Sequence, residues 1–228
     1  MNNSTTQAII LKRINFGEAD RILTAITPEY GKISILAKGV RRSKSKLAGG
    51  LELFSVTDIG FINGKSNLKT VTSTRLIKHF RKIVENINLT MIAYEFLKLI
   101  DTNTQESCDS EYFTVLENGL QSLEEHNENP DVVFVWFADS MLRLMGSNIN
   151  VEAQVDSTQF DEDNMYHFDF DNMGFFAHSA GQYSPKHIKY LRLLSKVSKP
   201  ENLIQIAGSS ALAKDLRPLL ENCLKIAN

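Results

Sequence analysis

The first third of the chain consists of short stretches in which β-branched and other apolar residues recur at every second position. Five such stretches lie at 7–14, 21–27, 32–38, 53–62 and 68–75. In the third stretch apolar and polar side chains alternate, with Ile33, Ile35 and Ala37 against Lys32, Ser34 and Lys38. A strand with this period has one apolar face and one face that carries two lysines. We therefore predict five β-strands before residue 76.

The connections between these strands are rich in turn-forming residues. Asn15-Phe16-Gly17 and the segment 27–31 fit tight turns, and Asn63-Gly64 favours a hairpin. In the fourth strand the apolar phase shifts after Val56, which predicts a β-bulge at Thr57-Asp58. Five short strands with a long connection between the third and the fourth are typical of a small closed Greek-key barrel such as the OB-fold.

After residue 76 the apolar period becomes helical. Spacings of three and four residues predict amphipathic helices from Leu76 to Ile87, from Leu89 to Ile100 and from Tyr112 to Leu123. Asn129-Pro130 begins a further helix that is apolar almost all round and should be buried, and Ser184-Pro185 begins another. Between these two helices, residues 165–177 predict a small hairpin.

The predicted fold class is therefore α+β, with an N-terminal five-stranded OB-fold barrel followed by a mainly α-helical C-terminal domain. We expect the domain boundary at residues 76 and 77, so that the domains are 1–76 and 77–228. The small β-hairpin belongs to an irregular segment at about 148–182.

Composition gives little information until the charges are located. The chain has 228 residues, 43% hydrophobic and 23% charged, with a net charge of −2 and a mean hydropathy of −0.18. This profile excludes disordered and disulfide-framework proteins. The net charge is +10 over residues 1–82, −17 over 83–181 and +5 over 182–228. Such asymmetry is typical of proteins whose basic region faces nucleic acid.

The sequence contains no pattern that favours an enzyme. Gly31-Lys32 lacks the earlier glycine of a phosphate-binding loop, and the aspartates at 161–171 lack the spacing of a calcium loop. The five histidines have no metal-ligand spacing, and Cys108 and Cys223 are far apart. We expect no catalytic residue, no cofactor and no bound metal. With neither a secretory signal nor a membrane span, we expect a cytoplasmic protein.

The candidate binding site is a run of positively charged residues after the third strand. Five of the nine residues from Lys38 to Lys46 are cationic and none is acidic. The predicted nucleic-acid-binding residues are Lys38, Arg41, Arg42, Lys44 and Lys46, together with Lys12, Arg13, Lys32, Lys69 and Arg75. A positive groove across a small barrel supplies the electrostatic part of single-strand binding. Phe16 and Tyr30 lie in turns, where each is either a base-stacking platform or a lid over the barrel.

The same region resembles a known family. The residues that carry the resemblance are Ala8-Ile9-Ile10-Leu11, Phe16-Gly17-Glu18-Ala19-Asp20-Arg21-Ile22, Thr27-Pro28-Glu29-Tyr30-Gly31-Lys32 and Ala37-Lys38-Gly39-Val40-Arg41-Arg42-Ser43-Lys44-Ser45. They are similar to the N-terminal signature of the RecO family of recombination mediators. The match is specific over residues 8–54 and only architectural beyond.

The resemblance implies a function and a set of partners. Such proteins bind single- and double-stranded DNA, anneal complementary strands and help to load RecA. They associate with RecR and contact the tail of the single-stranded-DNA-binding protein. Many relatives also bind zinc through four cysteines, but residues 148–182 contain no cysteine, so this chain resembles the zinc-free members.

Two other classes of function remain open at this point. The chain could be an RNA-binding OB-fold protein, or a protein-interaction adaptor whose acidic helices form the active surface. For the DNA-binding alternative, we expect DNA on the barrel and on the flank formed by Lys78, Arg81 and Lys82. The acidic helices would then be a scaffold or bind proteins, because their charge repels phosphate.

Overall fold

The computed structural model describes residues 3–63 and 68–227. Its Cα packing divides the chain into two compact units, the first ending at Glu125 and the second beginning at His126. The boundary that we predict near residue 76 lies inside the first unit and stays a prediction for the limits of independently folding domains. None of the helices in the described ranges is long and apolar enough to cross a membrane.

Five strands of the first unit form a closed barrel in the order β1-β2-β3-β5-β4. β3 and β5 are parallel and the other neighbours are antiparallel. This closure confirms the predicted OB-fold barrel. The strands are β1 (Asn3–Phe16), β2 (Asp20–Thr27), β3 (Gly31–Ala37), β4 (Ser55–Ile62) and β5 (Lys69–His79).

The barrel core confirms the alternation predicted for β3. Ile33, Ile35 and Ala37 point into a core that also contains Ala8, Ile10, Leu23, Ala25, Ile59, Phe61 and Val71. The predicted bulge has the right place but the wrong strand. The register shifts between Val56 and Thr57, and the extra residue is Ile77 on the partner strand β5. Gly64 of the predicted Asn63-Gly64 hairpin lies outside the described residues.

The predicted helix beginning at Leu76 is wrong over its first turn. Residues 76–79 continue β5, with Leu76 opposite Thr57 and His79 opposite Ser55. This segment can form backbone hydrogen bonds with β4. These bonds stabilise the strand more than packing of a single apolar helix face would stabilise a helix. Three helices then complete the first unit: α1 (Arg81–Glu85), α2 (Ile87–Asn103) and α3 (Glu111–Glu125).

The second unit is mainly helical, as the sequence predicts. Residues 132–142 of its first helix are all buried, which confirms the prediction of a buried helix after Pro130. The predicted hairpin is also present, as β6 paired with β7. The elements are α4 (Pro130–Leu144), β6 (Tyr166–Asp169), β7 (Gly174–Ala177), α5 (Pro185–Leu194), α6 (Glu201–Ile204) and α7 (Ser209–Ala227).

Gly31 provides a test of how the segment before α3 packs on the barrel. Its φ is +60°, and a Cβ there would lie 2.6 Å from the Cys108 amide nitrogen. Gly17 has a similar φ of +55°, but its Cβ would meet nothing within 4 Å. We expect Gly17→Ala to cost about 1 kcal/mol of unfolding free energy from φ alone. Gly31→Ala should cost about 2–4 kcal/mol because the clash adds to the same strain. Urea unfolding of both variants measures the difference, and equal losses would contradict the packing of residues 106–108 against β3.

The two cysteines should differ in reactivity. Cys223 is fully buried, and burial raises the pKa of its thiol from 9.0 to about 12. Cys108 is partly exposed. We expect an aromatic disulfide reagent at pH 8 to label Cys108 in the native protein and Cys223 only after unfolding. The neutral buried thiol contributes stability that is fully present below pH 9 and is lost as the pH rises towards 12. Rapid labelling of both thiols in the native state would contradict this.

Candidate nucleic-acid interface

The segment from Lys38 to Lys46, the basic loop, is a folded part of the barrel. Val40 is 3% exposed and belongs to the barrel core. The amide of Gly39 donates to Asp20 Oδ1 at 2.7 Å, and the amide of Arg41 donates to the Ala19 carbonyl at 2.9 Å. The basic loop is therefore fixed beside the hairpin that joins β1 to β2.

The five cations of the basic loop are exposed: Lys38, Arg41, Arg42, Lys44 and Lys46. The Arg41 guanidinium donates to the Gly17 carbonyl at 3.4 Å. No carboxylate within the described ranges lies within salt-bridge distance of any of the five. Five neighbouring positive charges without counter-charges form a surface that attracts anions such as phosphate groups.

Beside the basic loop, the outer face of β1, β2 and β3 is half covered and half open. Ile9 pairs with Ile26, and both are fully buried although neither belongs to the barrel core. α2 contacts β1, and α3 contacts β2. Towards the basic loop the outward residues are accessible, and we call this part the open half-face. Its outward positions are Lys12, Ile14, Phe16, Asp20, Ile22, Thr24, Ser34 and Leu36.

The open half-face contains an apolar row that the sequence analysis missed. Ile14 pairs with Ile22, and Ile22 pairs with Leu36, so the three side chains lie side by side across three strands. Ile14 is 50% exposed and the other two are partly exposed. The alternation in β2 contains the signal, since Leu23 and Ala25 face the core and Ile22 must therefore face outwards.

The structure separates the two aromatic candidates. Phe16 ends β1, is 52% exposed and lies at the edge of the open half-face. Tyr30 packs its ring edge-to-face on Phe61 of the barrel core, with ring centroids 5.3 Å apart. The geometry of Tyr30 fits the lid alternative, whereas Phe16 presents a free ring for stacking.

Four of the ten predicted cations, Arg13, Lys32, Lys69 and Arg75, have structural partners. Arg13 pairs with Glu52 of the β3–β4 connection, which also pairs with Arg21, a residue outside the predicted set. Arg75 pairs with Asp58 on the neighbouring strand. Lys32 donates to the Asp101 carbonyl in the last turn of α2 at 2.6 Å, where a positive charge stabilises the helix C-terminus. Lys69 lies over the Phe61 ring, 5.8 Å from its centroid.

Two of these cations, Lys32 and Lys69, lie away from the open half-face and line a cavity instead. Tyr30, Lys32 and Lys69 line a cavity of about 310 Å³ together with residues 106–108. Within the first unit, the predicted residues therefore divide between two places. The basic loop, Phe16 and Lys12 lie at or beside the open half-face, and the remaining cations are held in ion pairs or face the cavity.

The basic flank at α1 is also largely paired. Lys78 interacts with Gln121 and Glu125 of α3, and Arg81 pairs with Glu85, which raises the pKa of the guanidinium. Glu124 accepts the amides of Lys82 and Ile83 at 3.2 Å each. This acidic residue of α3 thus caps the N-terminus of α1, where a negative charge is favourable. Lys82 presents its charge to solvent.

In the second unit, a serine, a histidine and an aspartate lie close together. Ser184 Oγ is 2.9 Å from His187 Nδ1, and His187 Nε2 is 3.4 Å from Asp215. The arrangement is a capping box at the start of α5, in which His187 Nδ1 accepts the Ser184 amide at 3.0 Å. Its lone pair is therefore engaged in holding the helix end and does not act as a general base.

Comparison with known proteins finds a family match over the residues that form the barrel and the basic loop. Residues 1–80 match the family described as "Recombination protein O N terminal". A protein of Dehalococcoides mccartyi named "DNA repair protein RecO" is 34% identical over 142 residues, 62% of this chain and 55% of the relative. The first matches thus span about half of the relatives' length. Proteins of the same name from Acetivibrio thermocellus and Bacillus subtilis are 28% and 29% identical, over 92% and 70% of their lengths.

The match includes β1 to β5 and the basic loop, and the Acetivibrio thermocellus relative aligns with 99% of this chain. Over its first 80 residues the chain matches the family described as N-terminal to recombination protein O, and the relatives to which it is similar are named DNA repair protein RecO.

Proposed function

We propose that this protein is a DNA-binding recombination mediator in DNA repair. In this proposal it binds single- and double-stranded DNA and anneals complementary strands. It also helps to load a recombinase onto strands coated by single-stranded-DNA-binding protein. The observation that carries the proposal is the basic loop, where five exposed cations without a carboxylate partner are fixed beside an open sheet face. The names of the relatives favour DNA over RNA as the nucleic acid.

The protein would act by binding rather than by bond chemistry. Two complementary strands repel each other through their phosphates, and a surface that neutralises phosphates without reading base sequence lowers this barrier. The partners that we propose are RecR, the tail of the single-stranded-DNA-binding protein and, indirectly, RecA. The acidic α3 carries no comparable run of cations, which favours a scaffolding or protein-binding role for it. The site of action would be the nucleoid.

The ion pairs reduce the number of cations available to DNA. Arg13, Lys32 and Arg75 are engaged within the barrel unit. The five cations of the basic loop and Lys12 are exposed, which gives about six phosphate contacts. Binding through six contacts should weaken on the order of a thousandfold between 50 and 200 mM salt.

Charge reversal in the basic loop tests the binding site. We expect Arg41→Glu with Arg42→Glu to weaken binding to mixed-sequence DNA at least tenfold and to lower the salt slope by about two contacts. Fluorescence anisotropy over a salt series measures both quantities. Lys196→Glu with Lys199→Glu is the matched control, since it changes the net charge equally at two exposed residues of the second unit. A flat salt response of the native protein, or equal losses in the two double variants, would contradict the proposed site.

Strand annealing tests the proposed activity. Two complementary oligonucleotides, one with a fluorophore and one with a quencher, should anneal faster with the protein at 50 mM salt, because neutralised phosphates repel less. The Arg41→Glu, Arg42→Glu variant should return the rate to nearly that of DNA alone, with and without single-stranded-DNA-binding protein. Competition by structured RNA as effective as by single-stranded DNA would support an RNA-binding function instead. Unchanged annealing by the variant would exclude the basic loop from this activity.

A further inference from the structure

The helix α2 has two apolar sides, and only one of them is packed in the first unit. Ile87, Met91 and Tyr94 form the other side and are 71%, 66% and 49% exposed. Their spacing of four and three residues places them in one row along the helix. We call this row the α2 outer face. The residues of the packed side are all buried: Leu89, Ile92, Ala93, Phe96, Leu97 and Ile100.

An apolar outer face is unusual for a helix at a protein surface. The side of such a helix that faces away from its core is normally polar. Burial of the packed side already stabilises α2 in the first unit, so the fold does not require a second apolar row. A continuous row of exposed apolar side chains indicates a contact with another molecule.

A cavity lies beside the α2 outer face. It has a volume of about 390 Å³, and its apolar lining includes Leu53, Phe54, Val84 and Tyr94. Phe54 packs edge-to-face on the Tyr94 ring, with ring centroids 4.9 Å apart, and its φ is +55°. This backbone conformation is uncommon for a bulky residue, and such conformations cluster at functional sites. The cavity offers room for an apolar side chain of an occupant.

The two ends of the α2 outer face carry opposite charges. Lys98 continues the row by one turn and is exposed, and no carboxylate among residues 3–63 and 68–227 lies within salt-bridge distance of it. Glu85 lies two residues before α2, is 57% exposed and pairs with Arg81. Lys82 lies on nearly the opposite side of α1 from Val84, because residues two apart in a helix are about 200° apart.

A second copy of the same chain fits this surface. In an antiparallel pair of α2 helices with a two-fold axis at Met91, residue 91−n of one copy lies opposite residue 91+n of the other. Met91 then packs on Met91, and Ile87 of each copy meets Tyr94 and the cavity of the other. Lys98 of each copy comes opposite the segment that contains Glu85. A parallel pair would instead place the two Lys98 side chains together, where like charges repel.

We propose that the α2 outer face is a self-association surface, on which two copies of this chain pair through antiparallel α2 helices with Met91 on the two-fold axis. The pairing needs no nucleic acid, so its failure is distinguishable from failure of the proposed function. Where the proposed function holds, each pair presents two basic loops, one for each strand to be annealed.

Sedimentation velocity of the full chain from about 1 to about 300 µM tests the association. We expect a monomer–dimer equilibrium with a dissociation constant on the order of 10–100 µM, because the apolar row forms a small interface. Met91→Lys should raise this constant at least about tenfold, since it places two ammonium groups on the axis. Ile226→Lys is the matched control: it makes the same charge change at a residue that is 59% exposed on α7, and it should associate as the native protein does. Thermal unfolding should give the same midpoint for all three, because both changed positions are exposed.

Disulfide cross-linking tests the antiparallel register. Cys108→Ser removes the partly exposed thiol, and Met91→Cys in this background should form a disulfide-linked dimer under mild oxidation. Ile87→Cys and Tyr94→Cys should each cross-link poorly alone and well when the two proteins are mixed. A parallel pair would give the reverse pattern.

A native protein that stays monomeric at about 300 µM would overturn the inference and would assign the α2 outer face to a different protein partner. Association of Met91→Lys as tight as that of the native protein would also overturn it, as would equal weakening by Met91→Lys and Ile226→Lys. Efficient cross-linking of Ile87→Cys and of Tyr94→Cys, each alone, would overturn the antiparallel register.

Discussion

Burial of Val40 and Leu51, two residues of the β3–β4 connection, in the barrel core is the constraint on which the proposed surface depends. Five cations within nine residues repel one another, and a solvated segment of this kind would have no fixed shape. Val40 and Leu51 anchor its two ends in the barrel core, and burial of one such side chain contributes about 1.5–3 kcal/mol. These two core residues therefore hold the charges in place.

This anchoring also determines which charges are available. Glu52 lies directly after Leu51, and its carboxylate pairs with both Arg13 and Arg21. Asp101 and Asp58 engage Lys32 and Arg75. The barrel unit thus uses some of its cations to hold its own elements together and leaves those of the basic loop for a ligand. In the other half of this outer face Ile9 and Ile26 are fully buried, whereas the half next to the basic loop is open.

The sequence predicted the parts of this arrangement that depend on local period and turn chemistry. The alternation of Ile33, Ile35 and Ala37 identified β3, and the loop charges could be read directly. The ion pairs could not be predicted, because Lys32 and Asp101 are 69 residues apart and meet only through the packing of α2 on the barrel. The strand at 76–79 was mistaken for a helix because its pairing with β4 leaves no local signal. The apolar row could be recognised only once the register of three strands was known. The period of β2 alone already indicated that Ile22 faces outwards.

The central claim is that DNA contacts the basic loop and the open half-face and leaves the paired cations untouched. Lysine acetylation, read residue by residue by mass spectrometry with and without a single-stranded oligonucleotide, tests it most directly. The account predicts that the oligonucleotide protects Lys12, Lys38, Lys44 and Lys46, whereas Lys98 and Lys186, both exposed elsewhere, keep their reactivity. Protection of Lys98 or Lys186, with full reactivity of the basic-loop lysines, would contradict the account.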